Sequence, residues 1–414
     1  MSSDESILYA NNLQYKLPTP SSVTVDRVLK RNYFQNRTYK TPGTMICSLA
    51  TGTDFVDCKN SSLVIKIRVI KDPTADPGDM VEVNFGSGSI ANIIKNMRIY
   101  HRSGTTYSNT QSLNLYRVLT DRYEEDSEWF ETVGSLMGYA KDTEYAISNT
   151  NLTYTGVIPL NKLHPFFSSE GGVFLPPQMA SSLRVECDTE DFGRVFKTKA
   201  TASAQIVGYE IDDIYIETMN VSLMDSAQAS LNTTSAKNSL EYLFKDIYTS
   251  INSSVANTDR LNIDINKSVA FCDHAMTMVQ NSTDLNTLHI DSFAADYREG
   301  NWWYSLGSSY YPSQMVSDEK LAYHQSLITF DKLSGTKKNT SVTWGDFRTR
   351  VPIYSVSLER DTQLALSQSP VNSSRALRFE CKFDIAPPFA TTNTVFMVYL
   401  TSVRSSLLSS RVDI

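Results

Sequence analysis

Apolar residues recur at every second position through much of this chain, and that period constrains the fold more than any other feature. Leu63, Ile65, Ile67 and Val69 share one face of a predicted strand while Lys66 and Arg68 fall on the other. Such alternation marks an antiparallel sheet with one buried and one wet side. The pattern returns in Leu261-Asn262-Ile263-Asp264-Ile265 and in the run from Leu377 to Ile385. Helical spacing is scarce: it is confined to Thr110–Gly138, with Leu113, Tyr116, Val118, Trp129, Phe130 and Leu136, and to a short piece from Asp318 to Leu327. Both read as helices inside long loops rather than as layers of the fold.

An internal echo organises these strands. Ser182-Leu183-Arg184-Val185-Glu186-Cys187 matches Ala376-Leu377-Arg378-Phe379-Glu380-Cys381, 194 residues later, so one strand plan looks to be used twice. Each copy precedes a further apolar strand, Ile211–Met219 or Thr394–Thr401, and each pair reads as the close of a sandwich. A chain of 414 residues suits two domains, since single cores stop growing near ~250–300 residues. The expected division is an arm at 1–25, a first sandwich at 26–222, a small polar linker at 223–238, a second sandwich at 239–404 and a tail at 405–414.

Composition excludes several classes. Hydrophobic residues are 41% and charged residues 20% of the chain, enough to bury a core in each half. The N-terminal segment carries Asp4 and Glu5 and no apolar run, so no export signal is expected and the sequons at Asn36, Asn232 and Asn281 read as unmodified. No apolar run approaches the ~20 residues of a membrane-spanning helix. Five widely spaced cysteines, Cys47, Cys58, Cys187, Cys272 and Cys381, suggest neither a disulfide framework nor a zinc site, and synthesis in a reducing cell interior. A net charge of −7 argues against electrostatic coating of nucleic acid by the protein as a whole.

No catalytic, cofactor or metal site is expected. Gly86-Ser87-Gly88-Ser89 and Gly335-Thr336-Lys337-Lys338 each lack half of a phosphate-binding loop. His101, His164, His274, His289 and His324 have no zinc-like spacing. Cys272-Asp273-His274 joins a thiol and an imidazole in sequence, but strand neighbours point to opposite faces. Glu124-Glu125-Asp126 and Asp188, Glu190, Asp191 lack calcium-loop spacing. Trp302-Trp303-Tyr304 and Trp344 read as packing anchors rather than a sugar platform. One local patch stands out: Arg27, Lys30, Arg31, Arg37 and Lys40 interleave with Tyr33, Phe34 and Tyr39. It could face a membrane or a packaged genome, or be neutralised by acidic groups of its own or a neighbouring subunit.

The passage Val157-Ile158-Pro159-Leu160 through Phe167, then Phe174-Leu175-Pro176-Pro177-Gln178-Met179 and the Leu183 strand, resembles a late segment of the jelly roll in double jelly-roll major capsid proteins of polinton-like viruses, virophages and nucleocytoplasmic large DNA viruses. Three other stretches are similar to the same family: Thr53–Asp57 before the Leu63 strand, Gly86–Tyr100 with Ser103-Gly104, and Tyr310-Tyr311-Pro312-Ser313 with Ala322-Tyr323. The resemblance implies an all-β chain of two tandem eight-stranded antiparallel jelly rolls with short helices in long loops. It implies a non-enzymatic major capsid protein without cofactors or a small-molecule substrate. Its partners would be itself as a homotrimer, neighbouring capsomers, and minor capsid and penton proteins, with the basic segment as the candidate contact to internal membrane or genome. Assembly inside the host cell and residence in the icosahedral virion follow. Segments Ser103–Thr155 and Asn281–Ser317 would project outward as towers. The competing readings are a spike or fibre and a carbohydrate-binding sandwich.

Overall fold

A computed structural model describes residues 24–72, 82–86, 88–139, 147–148, 152–169, 174–198, 206–227, 229, 240–282, 300–333, 339–349, 351–359, 368–405 and 412–413. The expected arm, apart from its last two residues, and most of the linker and of the tail lie outside these residues. Sixteen strands form the frame. In the first half they are β1 (Thr24–Tyr33), β2 (Thr44–Ser48), β3 (Phe55–Lys71), β4 (Ile94–His101), β5 (Thr106–Thr110), β6 (Thr153–Pro159), β7 (Leu183–Thr189) and β8 (Ile206–Leu223). In the second half they are β9 (Leu240–Ser254), β10 (Arg260–Ile265), β11 (Val269–Asn281), β12 (Gly300–Leu306), β13 (Ser309–Val316), β14 (Tyr354–Ser357), β15 (Leu377–Phe383) and β16 (Thr391–Ser405).

The two halves follow one plan. The first half forms sheets in the order β1-β8-β3-β6 and β2-β7-β4-β5, the second in the order β9-β16-β11-β14 and β10-β15-β12-β13. Adding eight to each label of the first half reproduces the second. Every ladder between these strands is antiparallel. The echoed hexapeptides lie on β7 and β15, equivalent central strands whose residues alternate inward and outward. In β3, Leu63, Ile65, Ile67 and Val69 are buried, while Arg68 faces outward and reaches Glu210 of β8 at 3.0 Å. Burying one such side chain is worth roughly 1.5–3 kcal/mol, so a one-residue slip in register would be costly.

Two features differ from the sequence reading. The connection at residues 111–152 carries a helix, α1 (Leu113–Glu124), whose side chains are almost all buried; that helix is a packing element rather than part of an outward tower, and residues 140–146 and 149–151 of the expected tower lie outside the described residues. Likewise Gly300–Leu306 and Ser309–Val316 form the hairpin β12-β13 of a main sheet, so Tyr310-Tyr311-Pro312-Ser313 sits in a strand and not in a loop. Residues 283–299 lie outside the described residues. The second half has the matching connection, residues 317–353, with α2 (Glu319–Thr329) and α3 (Trp344–Thr349).

Candidate functional site

Beyond the sheets, the two halves meet along a seam. The loop after β6, with short helices at Leu160–Leu163 and Pro165–Phe167, presents Phe166 to the buried side of β9 that carries Tyr242 and Phe244. There its ring lies 4.8 Å from Phe244 and 5.6 Å from Tyr242, and the Tyr242 hydroxyl donates to the Phe166 carbonyl at 2.9 Å. On the other side, α1 lays Tyr116 against Phe396 of β16 and Tyr123 against Phe330 beyond α2, with centroids 5.6 and 5.0 Å apart. The last carbonyls of α1 have no partner within a helix. The second half supplies them: Lys332 Nζ donates to Glu124 O at 2.6 Å, Thr340 and Ser341 hydroxyls to Arg122 O at 3.0 and 2.9 Å, and the Ser341 amide to Glu125 O at 2.8 Å.

A buried polar network crosses the same seam. Asp246 on β9 accepts from Ser108 at 2.6 Å, Tyr399 at 2.6 Å and the Ile247 amide at 2.8 Å. Burial raises the Asp246 pKa above its ordinary value, opposed by those donors. His164 accepts the Phe166 amide at Nδ1, 3.0 Å away, so its proton sits on Nε2, facing Thr110 Oγ1 at 2.9 Å. Burial, with the nearby Arg117 guanidinium, pushes the His164 pKa down to about 3. The histidine is therefore a neutral structural donor at ordinary pH, and satisfied networks of this kind specify one packing.

The basic segment forms β1 and the turn after it. Arg27 pairs with Asp57, Lys30 with Asp54 at 2.8 Å, Arg31 with Glu217 at 2.8 Å and Arg37 with Asp213 at 3.2 Å. Asp54 also accepts from Asn220 and Ser222, and the Lys30 ammonium holds its carboxyl below the usual range. Arg31 stacks over Tyr215 and Arg37 over Tyr33. Phe34 is a core residue, while Lys40 and Tyr33 are exposed. The segment thus does not present a common basic face: four of its cations are matched by carboxylates from β8 and from the Thr53–Asp57 stretch. Spacing could not reveal these partners, which are distant in sequence.

The remaining candidates sort into structural roles. All five cysteines are buried and free, and burial pushes the Cys47 and Cys58 thiols up to about 12, the reverse of an activated nucleophile. The Cys272 thiol lies against Val398 O, whereas His274 bonds Asp273 at 2.9 Å; thiol and imidazole do not meet. Burial opposes ionisation of Asp273, yet His274 and Lys245 keep its carboxyl well below the usual range. Glu124 and Glu125 pair with Lys162, Asp126 caps the helix at Trp129, and Glu190 meets Lys95 and Arg194. Trp302 and Tyr304 are core residues of β12, and Trp344 stacks on Phe347. His289 lies outside the described residues. Among the described residues no group of His, Cys, Asp and Glu could hold a metal, and no helix is long and apolar enough to cross a membrane.

No family model and no curated protein matches this sequence. Solved structures do match it along nearly its whole length. VP54 of PBCV-1, fitted into a reconstruction of the virophage Sputnik, superposes with a TM-score of 0.62 at 9% identity, covering 96% of this chain and 98% of that one. The Faustovirus major capsid protein gives 0.64 at 8% identity over 95% and 92%, and a chain of the Sputnik virophage 0.60 at 11% over 97% and 91%. The chain is a double jelly roll. In jelly-roll terms the seam joins the fifth strand of the first roll, β5, to the first strand of the second, β9. The reading missed that seam as a site, although the run Val395-Phe396-Met397-Val398-Tyr399-Leu400, apolar without alternation, is the mark of a strand covered on both faces.

Proposed function

We propose that this double jelly roll is the major capsid protein of an icosahedral DNA virus, a structural protein whose capsomers tile the virion shell. The observation that carries the reading is the repetition of one eight-strand plan along the chain, at full-length similarity to capsid proteins of three viral groups. Two upright rolls per chain and three chains around an axis make a six-fold ring, a footprint that fills a surface without gaps. The units of assembly would be a first roll at 26–222 and a second at 239–404, joined by the 223–238 linker and flanked by the 1–25 arm and the 405–414 tail. Support for that division comes from the ladders, which among the described residues close within each half apart from a single bridge between Ser169 and Phe244.

Partners in this reading are two further copies of the chain, adjacent capsomers, and minor capsid and penton proteins. Synthesis and assembly would take place inside the host cell. For Arg27–Lys40, the in-chain pairing favours a neutralised strip over contact with membrane or genome, because a matched cation has little left to offer a polyanion. Charge reversal at Arg27, Lys30 and Arg31 separates the two: normal filling of particles supports the strip, and empty particles from intact trimers support the polyanion contact. The capsid reading itself is tested by light scattering after size exclusion. A trimer of three 46.4 kDa chains, forming hexagonal tiles in negative stain, is the expected result, and a monomer that binds glycan overturns it.

A further inference from the structure

We propose that a cavity beside the Asp246 network binds an aliphatic polyamine, a molecule carrying two or more alkylammonium groups on an apolar stem. The cavity measures about 1080 Å³ and lies between β5 and β9, bordered by the start of β11 and the end of β16. That is ample for a small ligand, since such pockets commonly hold roughly 300–1,000 Å³. Both rolls contribute to its walls, so it exists only where they are joined. Its charged lining is Glu241, Asp246 and Lys267, an excess of one carboxylate, and Tyr107, Tyr248 and Tyr399 line it as well. Carboxylates hold ammonium groups by charge-assisted hydrogen bonds, and aromatic faces hold them through the ring quadrupole.

The chain itself already seats one alkylammonium here. Lys267 Nζ, on the turn before β11, lies 5.6 Å from the centroid of the Tyr399 ring, and the Tyr399 hydroxyl donates to Asp246 at 2.6 Å. Burial raises the Asp246 pKa, and the Lys267 ammonium is one of the groups that pull it back down, so the buried carboxylate feels a cation at this position. Lys267 is exposed, and its stem can swing outward to cede the place. A second feature asks for an occupant. Tyr107 is 4% exposed, its ring stacks on Phe166 at 5.7 Å, and its hydroxyl is buried without a hydrogen-bond partner. An unpaired buried polar atom is unfavourable, and a phenol oxygen accepts an ammonium N–H. An anion would meet the surplus carboxylate, and a wholly apolar molecule would leave the Tyr107 hydroxyl unanswered. Two ammonium groups on an alkyl stem answer both, with the stem against Leu243 and Phe271.

Calorimetric titration of the full-length protein with spermidine tests the site, with magnesium chloride at matched ionic strength as the control. Saturable binding of one spermidine per chain is expected, and two substitutions should move it in opposite directions. Glu241→Gln removes a carboxylate and should weaken binding about tenfold, the usual effect of losing one hydrogen bond to a charged group. Lys267→Gln removes the competing ammonium from Tyr399 and should strengthen binding several-fold. Damage to the cavity alone would weaken both. Both positions are exposed, so each chain should fold, as thermal unfolding would verify; Tyr248→Leu, which should also weaken binding, replaces the first variant if it does not, and Lys267→Ala replaces the second. Three results overturn the proposal: no saturable binding, weaker binding by Lys267→Gln, or magnesium binding as well as spermidine, which would be diffuse attraction to a chain of net charge −7. None of them touches the capsid reading, which rests on trimers and tiles.

Discussion

β8 and β16 occupy the same place in the two rolls, yet they are buried differently. β8 alternates, with Tyr209, Ile211, Ile214 and Ile216 inward and Glu210, Asp212, Asp213 and Glu217 toward the other face. β16 is buried at every position from Thr391 to Leu400. The ladders do not explain this, since both strands pair with two long neighbours and one two-residue strand among the described residues. The difference is that α1, a helix from the other roll, covers the outer face of β16 and places Tyr116 on Phe396, whereas the outer face of β8 meets β1 cations and solvent. One strand plan thus gives one wet sheet and one dry sheet, according to what the neighbouring roll lays over it.

The sharpest way to break that comparison is to truncate the covered face. Phe396→Ala should cost about 3–5 kcal/mol, the usual price of emptying a buried aromatic site, read by urea denaturation. The exposed Val207 on β8 should change stability by less than about 0.5 kcal/mol on truncation to alanine. Equal losses at the two positions would mean that the seam does not cover β16. Next, Tyr399→Phe removes a donor from buried Asp246 and should cost about 2–3 kcal/mol, with a smaller loss if Ser108 is already alanine, since the two donors share one carboxylate.

Acid should loosen the seam in a definite direction. His164 titrates near its ordinary 6.5 when unfolded but only at about 3 in the fold, so below pH 6.5 the unfolded chain takes up a proton that the folded chain refuses. The stability attached to this residue is whole above pH 6.5 and falls steadily toward pH 3, by about 2 kcal/mol at pH 5. His164→Gln should flatten that part of the pH profile in thermal melts, and an unchanged slope would remove His164 from the account. The smallest effect is expected on the wet side. Lys30→Ala removes an ion pair to Asp54 whose lysine is 45% exposed and should cost less than about 1 kcal/mol, vanishing in high salt.

Local chemistry made much of this legible beforehand. Alternation in Leu63–Val69 and Leu377–Phe383 marks strands because a pleated backbone sends successive side chains to opposite faces, and the echo at 182–187 and 376–381 lands on equivalent strands because one plan needs the same inward residues at the same step. The prolines at 159, 165, 176 and 177 end β6 and start short helical turns, as residues lacking a backbone donor should. The aromatic run at Trp302–Tyr304 also followed its expected packing role, though as a strand inside the sheet.

Other features were settled only in three dimensions. The segment from Ser103 to Thr155 has the polarity and length of an outer loop, but α1 is buried because a second roll stands beside it. Arg27, Lys30 and Arg31 read as a basic patch because Asp57, Asp54 and Glu217 lie up to 186 residues away. Periodicity reports which side of an element avoids water and is therefore written in neighbouring residues. What covers that side, and which carboxylate answers which cation, depends on contacts between distant parts of the chain, and these arise only once the two rolls are packed.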